Sequence, residues 1–208
     1  DLGVKRLFDE QGKIVRGASA VIPKPVVVYD NTHTESPMGF TVQTGMFGIN
    51  RPPESPNYLE VGDTIHLGPG SRNLDRLYLE LLANPMGKAN LVVSIYEGDS
   101  PQGKLLASRK CLVTVRKAYS CLTISGWDLM LPSDTITVVI KEENYGLTRW
   151  SPRFMDPPVI GSSENWFWLR RSVSEPWVKK TAPLMIETIG IIRPREFGNF
   201  SIRVVTKD

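Results

Sequence analysis

Apolar positions along this chain come in short bursts, and within several of them apolar and polar residues alternate. In the segment from Leu74 to Leu82, for example, Leu77, Leu79 and Leu81 alternate with the intervening side chains, which is the period of a strand with one mostly buried face. Helical periodicity is hard to find. Ten segments rich in β-branched and aromatic residues end at Gly, Pro, Asn or Asp and are predicted strands: Val26–Tyr29, Thr64–Leu67, Leu74–Leu82, Asn90–Tyr96, Lys104–Ala107, Cys111–Val115, Thr135–Lys141, Asn165–Leu169, Leu184–Ile189 and Phe200–Thr206.

Turn-forming residues separate these segments. The 16 prolines and 17 glycines fall mainly between the apolar bursts, where turns need them. A chain of 208 residues has an ordinary length for one all-β domain. We therefore predict a single antiparallel β-sandwich, jelly-roll-like, over residues 25–208. Residues 1–24 form a strand-capable N-terminal extension, and residues 190–208 supply an additional terminal strand.

Several strand-and-turn motifs together resemble one family. They are VVVYDN (26–31), GDTIHL (62–67), SRNLDRLYLEL (71–81), LVVSIYEGDSPQGKLLAS (91–108), LPSDTITVVIKEEN (131–144), NWFWLR (165–170) and LMIETI (184–189). With these motifs the chain resembles the exported β-sandwich domains of bacterial PEP-CTERM and "choice-of-anchor" surface proteins. The resemblance implies a secreted or cell-surface location and brings no catalytic residues. The chain differs from the family at both ends, since it has a long N-terminal extension and continues beyond residue 189 without an anchor.

Charge and hydropathy exclude some partners. The chain has 25 basic and 22 acidic residues, scattered rather than gathered into a stripe, so we expect no nucleic-acid partner. No apolar run approaches the ~20 residues that cross a membrane. The chain begins at Asp1 without a charged and apolar leader, as expected for an exported protein after signal-peptide removal; an expressed fragment is the alternative.

No catalytic, cofactor or metal motif stands out, so we predict a protein that is not an enzyme and carries no cofactor. His33 lies in a turn-like segment, and alternation places His66 on the face opposite Ile65 and Leu67. Nucleophile elbows, phosphate-binding glycine loops and histidine-based metal motifs are missing from the sequence. Asp30, Asn31, Asp63 and Asp99 lie in or beside turns, where local hydrogen bonding explains them better than calcium binding does.

The two cysteines and the tryptophans are the remaining candidates. Cys111 and Cys121 either face each other in a short hairpin and form a disulfide, or lie on separate strands as thiols. Export favours the disulfide. Trp150 and Trp177 lie in loop-like segments and are candidates for stacking on a surface glycan, with packing under the loops as the alternative. In NWFWLR, Trp166 and Trp168 share one face of a strand while Phe167 and Leu169 share the other.

The leading functional hypothesis is a self-assembling structural subunit of a cell-surface or extracellular filament or layer. An extended donor gains a ladder of hydrogen bonds at an open sheet edge, so the N-terminal segment is predicted to pair with a neighbouring copy. The apolar residues predicted to do so are Ile14, Val15, Val21, Ile22, Val26, Val27 and Val28. For the C-terminal strand NFSIRVVTK, pairing within its own sandwich is equally compatible. The alternative function is an extracellular carbohydrate-binding or adhesion module.

Overall fold

A computed structural model describes residues 23–32, 42–43, 60–84, 87–115, 119–143, 149–152, 158–164, 166–170, 172–180, 182–188, 191–197 and 199–208. Within these ranges it contains fifteen strands and no helix. The strands are β1 Pro25–Asp30, β2 Val42–Gln43, β3 Glu60–His66, β4 Asn73–Asn84, β5 Gly87–Glu97, β6 Leu105–Val115, β7 Tyr119–Met130, β8 Thr135–Glu142, β9 Arg149–Pro152, β10 Ser162–Ser163, β11 Phe167–Arg170, β12 Val178–Lys180, β13 Ala182–Thr188, β14 Ile191–Phe197 and β15 Ile202–Lys207.

Two antiparallel sheets form the sandwich. The five-stranded sheet has the order β1-β15-β4-β7, with β9 also beside β4. The seven-stranded sheet has the order β12-β11-β3-β8-β5-β6, with β10 also beside β3. A small third sheet, β14-β13-β2, is formed by other strands. The predicted all-β sandwich is confirmed.

The connections follow the jelly-roll scheme. Eight strands carry it, namely β1, β3 to β8, and β15. The first, eighth, third and sixth of these are neighbours in one sheet, and the second, seventh, fourth and fifth in the other, which is the double Greek-key order of a jelly roll. Between the last two of the eight, the chain inserts β9 to β14. This insertion decides which sheet edges are covered.

The core lies between the two sheets and follows the predicted alternation. In β4, Leu77, Leu79 and Leu81 are buried, and the alternating Tyr78 and Glu80 are half-buried. In β11, Phe167 and Leu169 are buried, and the Phe167 ring contacts Phe200 with 5.7 Å between ring centroids. The alternation predicted for NWFWLR is therefore confirmed.

The C-terminal strand is an interior strand of its own sandwich. β15 pairs with β1 on one side, from Pro25 opposite Lys207 to Asp30 opposite Arg203, and with β4 on the other. The inter-subunit prediction for Val26, Val27 and Val28 needs correction. These residues belong to β1, whose ladder partner is β15 of the same chain, and Val28 is buried in the core.

Polar side chains fasten the beginning of β15. Asn31 donates to the Phe200 carbonyl at 2.5 Å and accepts the Ile202 N–H at 2.6 Å. Asp63 Oδ2 accepts the Phe200 N–H at 2.8 Å, and the Ser201 hydroxyl donates to Glu80 at 2.5 Å. The two bonds of Asn31 and the bond of Asp63 satisfy backbone groups where β15 enters the sheet, and together with the Ser201–Glu80 bond they favour its observed register.

Candidate functional site

One side of the sandwich is sealed by loops and by the insertion. The outer edge of β1 receives bonds from two segments, because Gly68 donates to the Val28 carbonyl at 2.6 Å and Asp30 exchanges bonds with Val159 and Ile160 at 2.9 and 3.0 Å. On the other sheet, β11 and β12 extend the edge that β3 would otherwise present. The last strand there, β12, has three residues. This side offers little backbone for further pairing.

The opposite side of the sandwich is open. β6 is the last strand of the seven-stranded sheet and β7 the last of the five-stranded sheet, and no other described strand pairs with their outer edges. They have 11 and 12 residues and follow each other in the chain. Leu105, Leu112 and Met130 on these strands are 50%, 64% and 64% exposed. We call the outer edges of β6 and β7 the open side.

One side chain bridges the open side. Arg109 of β6 donates to the Gly126 carbonyl of β7 at 2.9 Å, and its guanidinium lies 5.6 Å from the centre of the Trp127 ring. The pairing of β4 with β7 shifts register there, and Gly126 and Asp128 have positive φ angles of 70° and 43°. The bulge and the Arg109 bridge together cover the end of β7 that contains residues 126–130. Residues 119–125 of β7 lie before the bulge and keep a regular ladder with β4.

The cysteines lie on these two edge strands and do not form the predicted hairpin. Cys111 is opposite Leu91 in the seven-stranded sheet, and Cys121 is opposite Glu80 in the five-stranded sheet. Both are free thiols. The disulfide prediction is therefore wrong for this structure, because the chain changes sheets between the two residues. Partial burial raises the pKa of both thiols.

A second candidate site lies on β11 and β12, where cations rest on tryptophan rings. The Lys179 ammonium is 3.8 Å from the centre of the Trp166 ring and 4.9 Å from that of Trp168. The two rings are edge-to-face, with centroids 5.1 Å apart. The Arg170 guanidinium lies 4.7 Å from the centre of the Trp177 ring. Such contacts hold long cationic side chains in place.

Beneath this layer is a buried ion cluster. Arg170 donates to Glu60 Oε2 from Nε at 2.7 Å and from Nη2 at 2.5 Å. Lys141 lies 3.7 Å from the other oxygen of Glu60. The side chains of Glu60 and Arg170 are only 5% and 18% exposed. The cluster therefore joins β3, β8 and β11 on the outer face of the seven-stranded sheet.

A pocket of about 350 Å³ opens beside the cluster. Its walls come from β11, from β12 and from the turn between them: Leu169, Arg170, Glu175, Pro176, Val178, Lys179 and Lys180. Three of these residues are cationic and one is acidic. We call it the basic pocket.

Of the two predicted glycan-stacking residues, one lies beside the basic pocket and the other lies in β9 of the five-stranded sheet. Trp177 is half-buried, and its ring contacts Arg170, a wall residue of the basic pocket. Trp150 lies in β9, opposite Ala83 of β4. The structure does not bring these two tryptophans together on one strand pair. The tryptophans that share a cation, Trp166 and Trp168, were recognised in sequence only as neighbours on one face.

The other residues singled out in the sequence either form hydrogen bonds within the chain or lie outside the described residues. His66 is half-buried, with Nδ1 at 2.9 Å from the Thr135 hydroxyl. Asp30 accepts from Thr32 and Arg203, and Asp99 offers its carbonyl to Thr64. The remaining predicted positions, Ile14, Val15, Val21, Ile22 and His33, lie outside the described residues.

Asp63 is a fully buried carboxyl group inside the sandwich. Its Oδ1 has no hydrogen-bond partner among the described residues, nor has the nearby hydroxyl of Tyr29. Burial raises the pKa of Asp63 well above its usual range, although the N–H groups of Phe200 and Thr64 offset part of the effect. Burial and, after it, the charge of Asp63 also raise the pKa of Tyr29.

This raised pKa predicts a pH-dependent stability that Asp63→Asn removes. The folded state holds a proton that an unfolded aspartate releases near pH 4, so the free energy of unfolding falls as pH rises from about 4 toward the folded pKa. Asparagine keeps an oxygen for the Phe200 N–H and does not titrate. In urea unfolding at several pH values, the stability of Asp63→Asn relative to the parent should increase with pH. Parallel pH curves for the two proteins contradict the prediction.

Comparisons with family models, curated proteins and solved structures gave no match to this chain. The described part of the chain holds no helix long and apolar enough to cross a bilayer. Among the same residues, no three His, Cys, Asp or Glu side chains are grouped to hold a metal ion. The family resemblance noted in the sequence therefore stays a prediction.

Proposed function

We propose that this protein is an exported, non-enzymatic structural subunit that assembles with copies of itself through the open side. The supporting observation is the contrast between the two sides of the sandwich. One side is covered by loop segments and by the insertion, whereas β6 and β7 end their sheets with long outer edges free of any described strand.

The physical basis is the unpaired backbone of an edge strand. Such an edge presents a row of N–H and C=O groups that a further strand can pair with. The 11 residues of β6 and the residues 119–125 of β7 that lie before the bulge offer edges of about 37 and 24 Å at ~3.4 Å per residue. Pairing there also covers Leu112, which is an exposed apolar side chain.

The occupant we propose is the N-terminal segment of a neighbouring copy. The chain enters the sandwich through β1, and in the five-stranded sheet β1 and β7 are at opposite ends of the order. The strand that follows the donor segment, β1, and the acceptor strand β7 therefore lie at opposite edges of this sheet. Contacts between unlike surfaces repeat head to tail, which produces rings or filaments rather than closed pairs. The donor residues Ile14, Val15, Val21 and Ile22 keep this role as a prediction.

The acceptor is tested with a charged substitution on the open side. Leu112→Lys replaces an exposed apolar side chain of β6 with a charge, a known way to block edge pairing. We expect the concentration needed for assembly to rise at least about tenfold, a loss of about 1.4 kcal/mol, as measured by light scattering and electron microscopy. Val173→Lys is the matched control, because Val173 is 71% exposed in the turn before β12 on the sealed side. Equal effects of the two variants contradict the acceptor.

The donor is tested by deleting residues 1–22, which leaves every described strand intact. The truncated protein should keep the circular dichroism spectrum of the parent and remain monomeric in sizing experiments. Assembly like that of the intact chain rejects the donor. An intact chain that is monomeric at all concentrations rejects the proposed function.

A further inference from the structure

We propose that the basic pocket binds the carboxylate-bearing sugar rings of an acidic polysaccharide. This goes beyond self-assembly, since the pocket lies at β12 and the open side lies at the far edges of both sheets. The argument rests on the charge, the rigidity and the mixed polarity of the pocket walls.

The charge of the pocket favours an anion. Arg170 is balanced by Glu60, its hydrogen-bonded partner. Lys179 and Lys180 have no ion pair with any described residue, and Glu175 is the only acidic wall residue. Neighbouring residues of a strand point to opposite faces, so two consecutive lysines lining one pocket place it across the outer edge of β12. That edge is the end of the seven-stranded sheet among the described strands.

Two of the three cations are already held in position. Lys179 rests on the rings of Trp166 and Trp168, and Arg170 lies over Trp177 and is bonded to Glu60. Less side-chain entropy is then lost when an anion binds, which favours affinity. Lys180 is exposed and has no ring contact or ion pair with a described residue, so it is the cation that remains available to a carboxylate.

The apolar walls explain why a sugar fits better than a small inorganic anion. The exposed Pro176 and Val178 lie beside the lysines, so one surface of the pocket takes C–H groups while another takes a charge. A uronate ring has both features, because its ring carbons are apolar and its carboxylate is exposed. A volume of about 350 Å³ is at the lower end of the ~300–1,000 Å³ typical of small-molecule sites. It suits about one ring at a time.

Binding is tested by calorimetry with an oligomer of galacturonic acid, and with a glucose oligomer of equal length as the neutral probe. We expect the acidic oligomer to bind at least about tenfold more tightly, with an affinity that falls as salt is added. Lys180→Glu should weaken that binding at least about tenfold. Lys88→Glu is the matched control, since Lys88 is an exposed lysine on β5, four strands from β12 in the sheet order.

Each outcome decides the question. Weak binding of both oligomers, equal binding of both, or equal losses in the two lysine variants overturns the proposal. Equally tight binding of poly-glutamate overturns the sugar assignment, because it indicates an acidic peptide instead. Circular dichroism of Lys180→Glu establishes that the fold is retained. The assembly measurements on Leu112→Lys are independent of all these results, since Leu112 lies on β6 at the other end of the sheet.

Discussion

Deletion of residues 199–208 is expected to unfold the whole sandwich, although it removes only the last strand of the chain. β15 is the only described strand that links β1 to β4, so its loss separates β1 from the rest of the five-stranded sheet. Phe200, Ile202, Val204 and Val205 are buried. At ~1.5–3 kcal/mol for each buried apolar side chain, they contribute roughly 6–12 kcal/mol, which is comparable to the ~5–15 kcal/mol that stabilises a whole domain.

The measurement is urea unfolding followed by circular dichroism. The truncated chain should show no cooperative transition, whereas a chain lacking only the exposed Asp208 should unfold like the parent. A synthetic peptide of residues 199–208 added to the truncated chain should restore the transition, since it supplies the strand that pairs with β1 and β4 in the folded state. A truncated chain that unfolds cooperatively at the parent's midpoint refutes the central role of β15.

Arg170→Ala is expected to lower the free energy of unfolding by about 3 kcal/mol. The substitution leaves Glu60 as a buried carboxylate without its main partner, and breaking a buried pair in this way costs about 3–5 kcal/mol. We place the effect at the lower end because Lys141 stays 3.7 Å from Glu60. The stacked ring of Trp177 also loses its cation.

The control for this effect is an exposed ion pair. Lys110 is hydrogen-bonded to Glu143, with 73% and 38% of the side chains exposed, and Lys110→Ala should cost less than about 1 kcal/mol. In the double variant Glu60→Met with Arg170→Met, two apolar groups replace the charges, and most of the loss should be recovered. If Arg170→Ala and Lys110→Ala have the same small effect in urea unfolding, the buried cluster does not stabilise the fold.

Much of the fold was predictable because local alternation specifies which face of a strand is buried. The buried faces of β4 and β11 follow directly from their sequences. β7 was missed as a strand. Its outer residues are polar or exposed, and the bulge at Gly126 and Asp128 interrupts the two-residue period. Two segments that were predicted separately, Lys104–Ala107 and Cys111–Val115, belong to one strand, β6. The prediction was split because the polar residues between them, which lie on an exposed edge, interrupt the apolar pattern.

The candidate sites were less predictable, because they depend on which strands become neighbours. Alternation carries no information on partners, so the pairing of β15 with β1 and the separation of Cys111 from Cys121 were outside its reach. The insertion covers one side of the sandwich and leaves the other side open. The path of the insertion depends on contacts across the sheet, which alternation does not specify. The sequence Pro176–Lys180, a tryptophan beside a proline and two lysines, indicated a candidate binding site around Trp177. The contact of this ring with the Arg170 guanidinium could be identified only from the structure.

The position of β15 also sets an order of events during synthesis. Asp30 and Arg203, which are joined across β1 and β15, are 173 residues apart, so this sheet closes only after β15 has been made. At ~5–20 residues per second, the 173 residues between Asp30 and Arg203 take roughly 9–35 seconds, during which the edge of β1 that faces β15 is unpaired. Such edges invite the wrong partners. A chain of this design benefits from being kept unfolded until β15 has been made.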